Sequence, residues 1–330
     1  MGKKVHMTIL VLLLIPALQT SIKAIATLYV DPSITVTSIG NTFSVNITIS
    51  DVIDLAGWEF KLYYLPSNLN GTNLEEGPLL KEGGSTFFAV INFTDNYNST
   101  HGLAWVTCAL LRPSPGVNGD GTLAVVTFEA KQLGISDLSL ADTQLSDSKP
   151  IPHIALNGTV YILPHDVATT NVTPSKTIVG QGLTAKIDVG VLNEGDFTET
   201  FNVTVYANTT SIATQTIALT SGNSTTLTFT WNTTGFAKGN CTISAYAWPV
   251  QGETDTADNT LVDGWAYLSI PGDLNVDVRV NILDAIILAG AFGSFPGHPR
   301  WNPNADINGD NKVNILDAII LAGHFGEVDP

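Results

Sequence analysis

The sequence predicts a multidomain, mainly β protein: β-sandwiches in series, followed by a small α-helical calcium module. Three observations carry that reading. The length of 330 residues is enough for two or three domains rather than one. Between residues 27 and 270, short runs alternate apolar and polar side chains with period two, broken by Asn, Gly and Pro clusters, and no segment sustains a 3.6-residue period. Near the C-terminus a twelve-residue stretch starting at Asp273 is written again from Asp306, and each copy continues into the same apolar run, with Ala291 answered by His324. Oxygen-bearing side chains at positions 1, 3, 5, 9 and 12 of such a loop are a calcium signature.

Composition narrows the partners. Charged residues make up 13% of the chain, with 30 acidic against 14 basic side chains and a net charge of -16. A phosphate backbone needs a basic surface, so nucleic acid is not expected as a partner. Lys3 and Lys4 precede an apolar run from Ile9 to Ile15, and Ala24-Ile25-Ala26 is a small-x-small cleavage site. Residues 1–26 therefore read as a secretory signal peptide, with an uncleaved anchor as the alternative. No later stretch is long and apolar enough to span a bilayer, so the protein is expected to be secreted, extracellular or cell-surface associated. Asn-x-Ser/Thr glycosylation acceptors fall at Asn46, Asn70, Asn92, Asn98, Asn157, Asn171, Asn202, Asn208, Asn223, Asn232 and Asn240, and none after residue 270. Cys108 and Cys241 are the only cysteines and sit in different expected domains, which argues against a disulfide and for small buried hydrophobes.

Residues 27–164 read as one sandwich. Phe43–Ile49 and Trp58–Tyr64 alternate as half-buried strands do, the second stopping at Pro66. Phe87–Phe93, Leu103–Leu111 and Leu123–Phe128 are further strands. Gly57-Trp58-Glu59-Phe60-Lys61-Leu62, then Gly119-Asp120-Gly121-Thr122-Leu123-Ala124-Val125-Val126-Thr127-Phe128, then Gly158-Thr159-Val160-Tyr161-Ile162 resemble the ordered landmarks of a cohesin domain. That resemblance implies a jelly-roll sandwich whose flat face receives a dockerin. The family's Asp shortly after the Trp58 strand is missing here, where the chain reads Tyr63-Tyr64-Leu65-Pro66. An Ig-like or carbohydrate-binding sandwich shares the architecture and stays open as the alternative.

Residues 165–270 form a second all-β unit. Its strands are Thr184–Val191, Phe201–Ala207, Ser224–Trp231 and Cys241–Trp248, separated by turn chemistry such as Asn193-Glu194-Gly195-Asp196. His165-Asp166-Val167-Ala168, Val191-Leu192-Asn193-Glu194-Gly195 and the acidic run from Glu253 to Thr260 resemble the adhesion-type, CARDB-like Ig domains of archaeal and bacterial surface proteins. Glu253, Asp255 and Asp258 could offer a loop calcium site, but their spacing fits no fixed coordination pattern, and a solvated acidic turn is the preferred reading.

Residues 271–330 carry the chemistry. The first loop offers Asp273, Asn275, Asp277, the Arg279 carbonyl, Asn281 and Asp284; the second offers Asp306, Asn308, Asp310, the Lys312 carbonyl, Asn314 and Asp317. Both end in Asp where an EF-hand has Glu, and neither has the EF-hand Gly at position 6. The tandem Asp-x-Asn-x-Asp-x-x-Val-Asn-x-x-Asp followed by an apolar helix resembles a type I dockerin. The resemblance implies an EF-hand-like pair of loop–helix units that bind Ca2+ and grip a cohesin through their helices. That family tends to have Gly at positions 4 and 6, where the second copy has Gly309 and Asn311 and the first Val276 and Val278. A β-branched residue is poorly suited to positive φ, so of two Ca2+ sites the second is expected to be the tighter. The helices are apolar nearly all round, which leaves an exposed patch centred on Ile282, Leu283, Ala289, Ile315, Leu316 and Ala322 for a partner; the same spacing also serves core packing.

There is no Gly-x-Ser-x-Gly, zinc-type His cluster or phosphate loop, and Glu75-Glu76 sits in a Gly- and Pro-flanked loop, so catalysis is not expected. The preferred function is a non-catalytic scaffold that uses calcium-dependent cohesin–dockerin binding to build extracellular or cell-surface complexes. Cohesin-bearing and dockerin-bearing proteins are its expected partners, with head-to-tail self-association open and a link to polysaccharide implied by the resemblance. The alternative is an adhesin or glycan-binding sandwich protein tethered through its dockerin.

Overall fold

The computed structural model describes residues 25–111 and 114–329. The leader proposed for residues 1–26 lies outside the described residues as far as position 24; Ala26 opens the first strand and is buried.

The first sandwich is built from β1 (Ala26–Asp31), β2 (Ile34–Thr37), β3 (Thr42–Leu55), β4 (Gly57–Tyr64), β5 (Leu69–Glu76), β6 (Thr86–Thr94), β7 (Gly102–Leu110), β8 (Val117–Ala130), β9 (Gly134–Ser146), β10 (His153–Leu156) and β11 (Gly158–Ile162). They form two sheets, ordered β10-β1-β3-β8-β5 and β2-β11-β9-β4-β7-β6. Pairing is antiparallel except where β10 runs parallel to β1 and β11 parallel to β2. The alternation of β4 decides its orientation. Trp58, Phe60, Leu62 and Tyr64 are buried between the sheets, while Glu59, Lys61 and Tyr63 face outward. Tyr64 meets Phe128 edge-on at 4.9 Å, and its hydroxyl donates to Asp95 Oδ1 at 2.6 Å.

The second sandwich comprises β12 (Val167–Pro174), β13 (Ile178–Gly180), β14 (Thr184–Asn193), β15 (Glu199–Ala207), β16 (Thr210–Leu219), β17 (Ser224–Asn232), β18 (Gly239–Ala247) and β19 (Thr260–Ser269). Its sheets are β12-β14-β17 and β13-β19-β18-β15-β16. Trp231 and Phe229 from β17 fill the centre with Ile187, Val189, Val203, Val205 and Ile243. Each such side chain contributes about 1.5–3 kcal/mol by leaving water. The turn after β14 is tied down by buried Asn193, whose Nδ2 donates to the carbonyls of Phe197 (2.7 Å) and Leu219 (2.9 Å). Cys108 and Cys241 are buried free thiols, and burial pushes Cys108 up to about 12.

The C-terminal module holds α1 (Ile282–Ala291) and α2 (Ile315–Gly323), each a little shorter than its apolar run because Phe292 and Phe325 lie past the helix end. Its core joins Leu274, Val280, Leu288, Ile307, Val313 and Leu321, with Trp301 of the proline-rich connector packed against it. Among the described residues no helix is long and apolar enough to cross a membrane.

Candidate calcium loops and helix face

Each loop is wound around its first and last carboxylates. Asp273 Oδ1 accepts from the backbone amides of Val276 (2.9 Å) and Asp277 (3.3 Å), and Asp306 Oδ1 from those of Gly309 (3.0 Å) and Asp310 (3.1 Å). At position 12, Asp284 Oδ1 accepts from Leu274 N at 2.8 Å and Asp317 Oδ1 from Asn308 N at 3.1 Å. These closing aspartates are also helix caps. Asn281 Oδ1 accepts from Leu283 N at 2.8 Å while Asp284 Oδ2 accepts from Asn281 N at 2.8 Å, and Asn314 with Asp317 repeats the arrangement on α2. Positions 9 and 12 of each loop are thus the helix's N-cap and N3.

The donor set is all oxygen, as a hard cation demands. In the first loop, carboxylate oxygens of Asp273, Asp277 and Asp284 lie within 4.8 Å of one another. Asp273, Asp284, Asp306 and Asp317 are buried, and desolvation holds Asp273 and Asp306 above the usual carboxylate range. Arg279 and Lys312 are exposed, and their amides bond Asp277 Oδ1 (3.1 Å) and Asp310 Oδ1 (2.9 Å). Asn275 and Asn308 donate through Nδ2 to Asp277 (2.9 Å) and Asp310 (3.1 Å), so positions 3 and 5 converge in both copies.

Backbone strain separates the copies. Val276 (φ 61°) and Val278 (φ 64°) stand where the second loop has Gly309 (φ 77°) and Asn311 (φ 67°). Two β-branched residues held in the left-handed region are outliers, whereas Gly and Asn adopt it readily. The second loop also gains a bond the first lacks: Asn311 N donates to Asp306 Oδ2 at 2.9 Å, while the matching Asp273 Oδ2 accepts from the Ser269 hydroxyl.

The helix face is apolar and exposed in duplicate. Ile282 and Ile315 are 63% and 61% exposed, Leu283 and Leu316 52% and 51%, and Ala289 and Ala322 are also exposed. Ile286 and Ile319, 61% and 60% exposed and absent from the expected patch, extend the same face by one turn. The signal was present in the i, i+4 spacing from Ile282 and Ile315. At the other end of the chain, the outer face of the β2-β11-β9-β4-β7-β6 sheet exposes Ile34, Val36, Ile135 and Phe87. Beside them Lys61 lies over the Trp105 ring at 4.5 Å, and Trp105 Nε1 donates to Glu59 at 2.8 Å.

The acidic run of the second sandwich is arranged differently from its sequence spacing. Glu253 is spent on backbone amides of Val250 (2.7 Å) and Val167 (3.3 Å), and Asp255 on that of Ala257 (3.1 Å). Asp258 instead meets Asp166 and Glu194, with an oxygen from each within 4.8 Å of the others. Burial and the neighbouring carboxylates, Asp258 first, push Asp166 up to about 6. Of the glycosylation acceptors, Asn98, Asn157, Asn171, Asn202, Asn208, Asn223, Asn232 and Asn240 are exposed, and Asn46, Asn70 and Asn92 are half-buried within strands.

Residues 271–325 match the family model of the dockerin type I domain, and residues 165–261 match that of CARDB. Among solved structures, the chain is similar to a non-cellulosomal cohesin from the hyperthermophilic archaeon Archaeoglobus fulgidus, at 20% identity and TM-score 0.34, covering 42% of this chain and 91% of that one. It is similar to CaCohA2 from Clostridium acetobutylicum at 21% identity and TM-score 0.34, covering 42% and 92%. A third is the Coh-OlpC–Doc435 complex from Clostridium thermocellum, at 15% identity and TM-score 0.34, covering 42% and 93%. No curated protein matches the chain. Set beside known proteins, the chain joins in one polypeptide a stretch that matches the CARDB model and one that matches the dockerin type I model.

Proposed function

We propose that this chain is an exported, non-catalytic assembly protein in which residues 27–164 are a cohesin-like receptor, 165–270 a spacer and 271–330 a calcium-folded plug. Type I dockerin domains bind calcium, and here the two loops would each hold one ion through Asp273, Asn275, Asp277, the Arg279 carbonyl, Asn281 and Asp284, or Asp306, Asn308, Asp310, the Lys312 carbonyl, Asn314 and Asp317. The ion would supply structure rather than chemistry: it would offset the repulsion of the loop carboxylates, which in the first loop lie within 4.8 Å of one another, and fix the aspartates that cap each helix. The second site is the tighter, because a metal-free first loop can relax Val276 and Val278 and calcium must then restore their positive φ.

The observation that carries the reading is the duplicated face of Ile282, Leu283, Ile286, Ile315, Leu316 and Ile319, more than half exposed at every position. An apolar patch on a monomer marks an interaction site. Its partner is a cohesin-bearing protein, another copy of this chain included, since receptor and plug on one polypeptide form a heterologous contact that can chain head to tail. Sedimentation of the full chain, and its capture by immobilised cohesins, would be measured with calcium and with chelator. Calcium-dependent binding lost in a Leu283→Lys, Leu316→Lys double variant of unchanged circular dichroism is the expected result. Binding that survives both the double substitution and chelation would refute it. Binding to glycans with no cohesin capture would point instead to the adhesin reading.

A further inference from the structure

The second calcium loop touches the sandwich before it through an unusual group. Lys176, between β12 and β13, is only 5% exposed, and its Nζ donates to the backbone carbonyls of Asp306 and Ile307, both at 2.9 Å. Those carbonyls belong to positions 1 and 2 of the loop. Alongside, Asn304 Oδ1 accepts from the amides of Thr177 (2.9 Å) and Ile178 (3.0 Å), and Asn304 Nδ2 donates to Thr177 Oγ1 at 3.1 Å. Leu183 of the sandwich packs against the module's core, and Lys238 pairs with Asp329 at 2.6 Å. Among the described residues the first loop has no counterpart of this lysine: Asp273 meets the hydroxyl of Ser269, at the end of β19.

A buried ammonium is costly unless compensated. Burial disfavours the charged Lys176, and the nearby carboxylates of Asp306 and Asp317 in the second loop favour it. Resting on the calcium reading above, we infer that the second sandwich is a working part of the second calcium loop: ion binding at 306–317 and docking of the sandwich through Lys176 and Asn304 reinforce one another. An ordered loop presents both carbonyls to the ammonium, and the docked ammonium in turn holds the loop's first two residues in place. The two loops therefore meet the sandwich differently, the first through the neutral hydroxyl of Ser269 at the end of β19 and the second through the Lys176 ammonium.

The test uses the full chain. Calcium binding is followed by calorimetry, and hydrogen exchange over residues 176–193 is followed by mass spectrometry with calcium and with chelator. Chelation is expected to speed exchange over that segment at least several-fold, although it contains no calcium ligand. Lys176→Met and, separately, Asn304→Ala are expected to weaken the second site about tenfold, as loss of a charge-assisted or buried hydrogen bond does, and to leave the first unchanged. Asn304→Ala removes no charge, so it reports docking alone even if Lys176→Met fails to fold. If calcium binds but exchange over 176–193 is indifferent to it, the coupling is wrong while the calcium reading stands. Unchanged or tighter calcium binding in both variants would equally overturn the coupling. Absence of any calcium binding would overturn both.

Discussion

Replacing Val278 by glycine should tighten the first calcium site. Val278 is held at φ 64° and Val276 at φ 61°, a region that costs a non-glycine residue about 1–3 kcal/mol. A metal-free loop can shed that strain, so the cost is levied on binding. Glycine removes it but adds about 0.5–1 kcal/mol of chain entropy to the unfolded loop. Val278 is 38% exposed, so little burial is sacrificed. The net gain of about 0.5–2 kcal/mol corresponds to about 2- to 30-fold in affinity. The reverse substitution, Asn311→Val at φ 67°, should weaken the second site by a similar factor. Two-site calorimetric titration of the full chain reads both numbers. If Val278→Gly leaves the first site within twofold of wild type and Asn311→Val does the same to the second, positive φ at position 6 does not control affinity and the strain argument fails.

Other outcomes follow from the geometry. Because Asp284 and Asp317 cap α1 and α2 as well as closing the loops, alanine at either should destabilise the module by about 1–3 kcal/mol even in chelator, measured by thermal melting. Asp166 is raised to about 6 in the fold against about 3.9 in an unfolded chain, so the native state binds the extra proton between those values and stability falls as pH rises through them. The full linkage of about 3 kcal/mol is an upper bound that solvent screening cuts to about 1 kcal/mol for this partly exposed group. Asp166→Asn should flatten that slope in denaturant melts between pH 4 and pH 7, and an unchanged slope would count against the assignment. With its thiol pushed up to about 12, Cys108 should resist alkylation at pH 8 in the native protein and react promptly in denaturant, as peptide mass spectrometry would show.

How far the sequence could be read depended on the range of the interactions. β3, β4, β7, β8, β14, β15, β17 and β18 were legible because each buries a row of apolar side chains, whereas β6, legible from its Phe, Val and Ile content, has no fully buried residue. Strands such as β9, with Ser136, Asp137, Ser139 and Asp142 among its residues, carry too few apolar side chains to be seen alone; they are strands because the neighbours β4 and β11 bond to them. The calcium loops were legible since their ligands are local, and so was the φ problem at Val278. Lys176 was not: its acceptors lie 130 and 131 positions away, and an isolated lysine between strands reads as solvated. The cluster of Asp166, Glu194 and Asp258 escaped for the same reason, while Glu253 and Asp255, two residues apart, are occupied by backbone amides.

The twin apolar helix face also bears on how the protein behaves with no partner at hand. Six leucine and isoleucine side chains open to water on one side would favour sticking of copies to one another, and the opposing influence is colloidal: a net charge of -16 that keeps like molecules apart. That repulsion reaches only about 8 Å at physiological ionic strength and about 3 Å in molar salt, whereas contact between the faces is unaffected by screening. Salinity would then set the balance between dispersed and clustered protein, and calcium, by discharging the acidic loops beside the patch, would act on the same balance at far lower concentration.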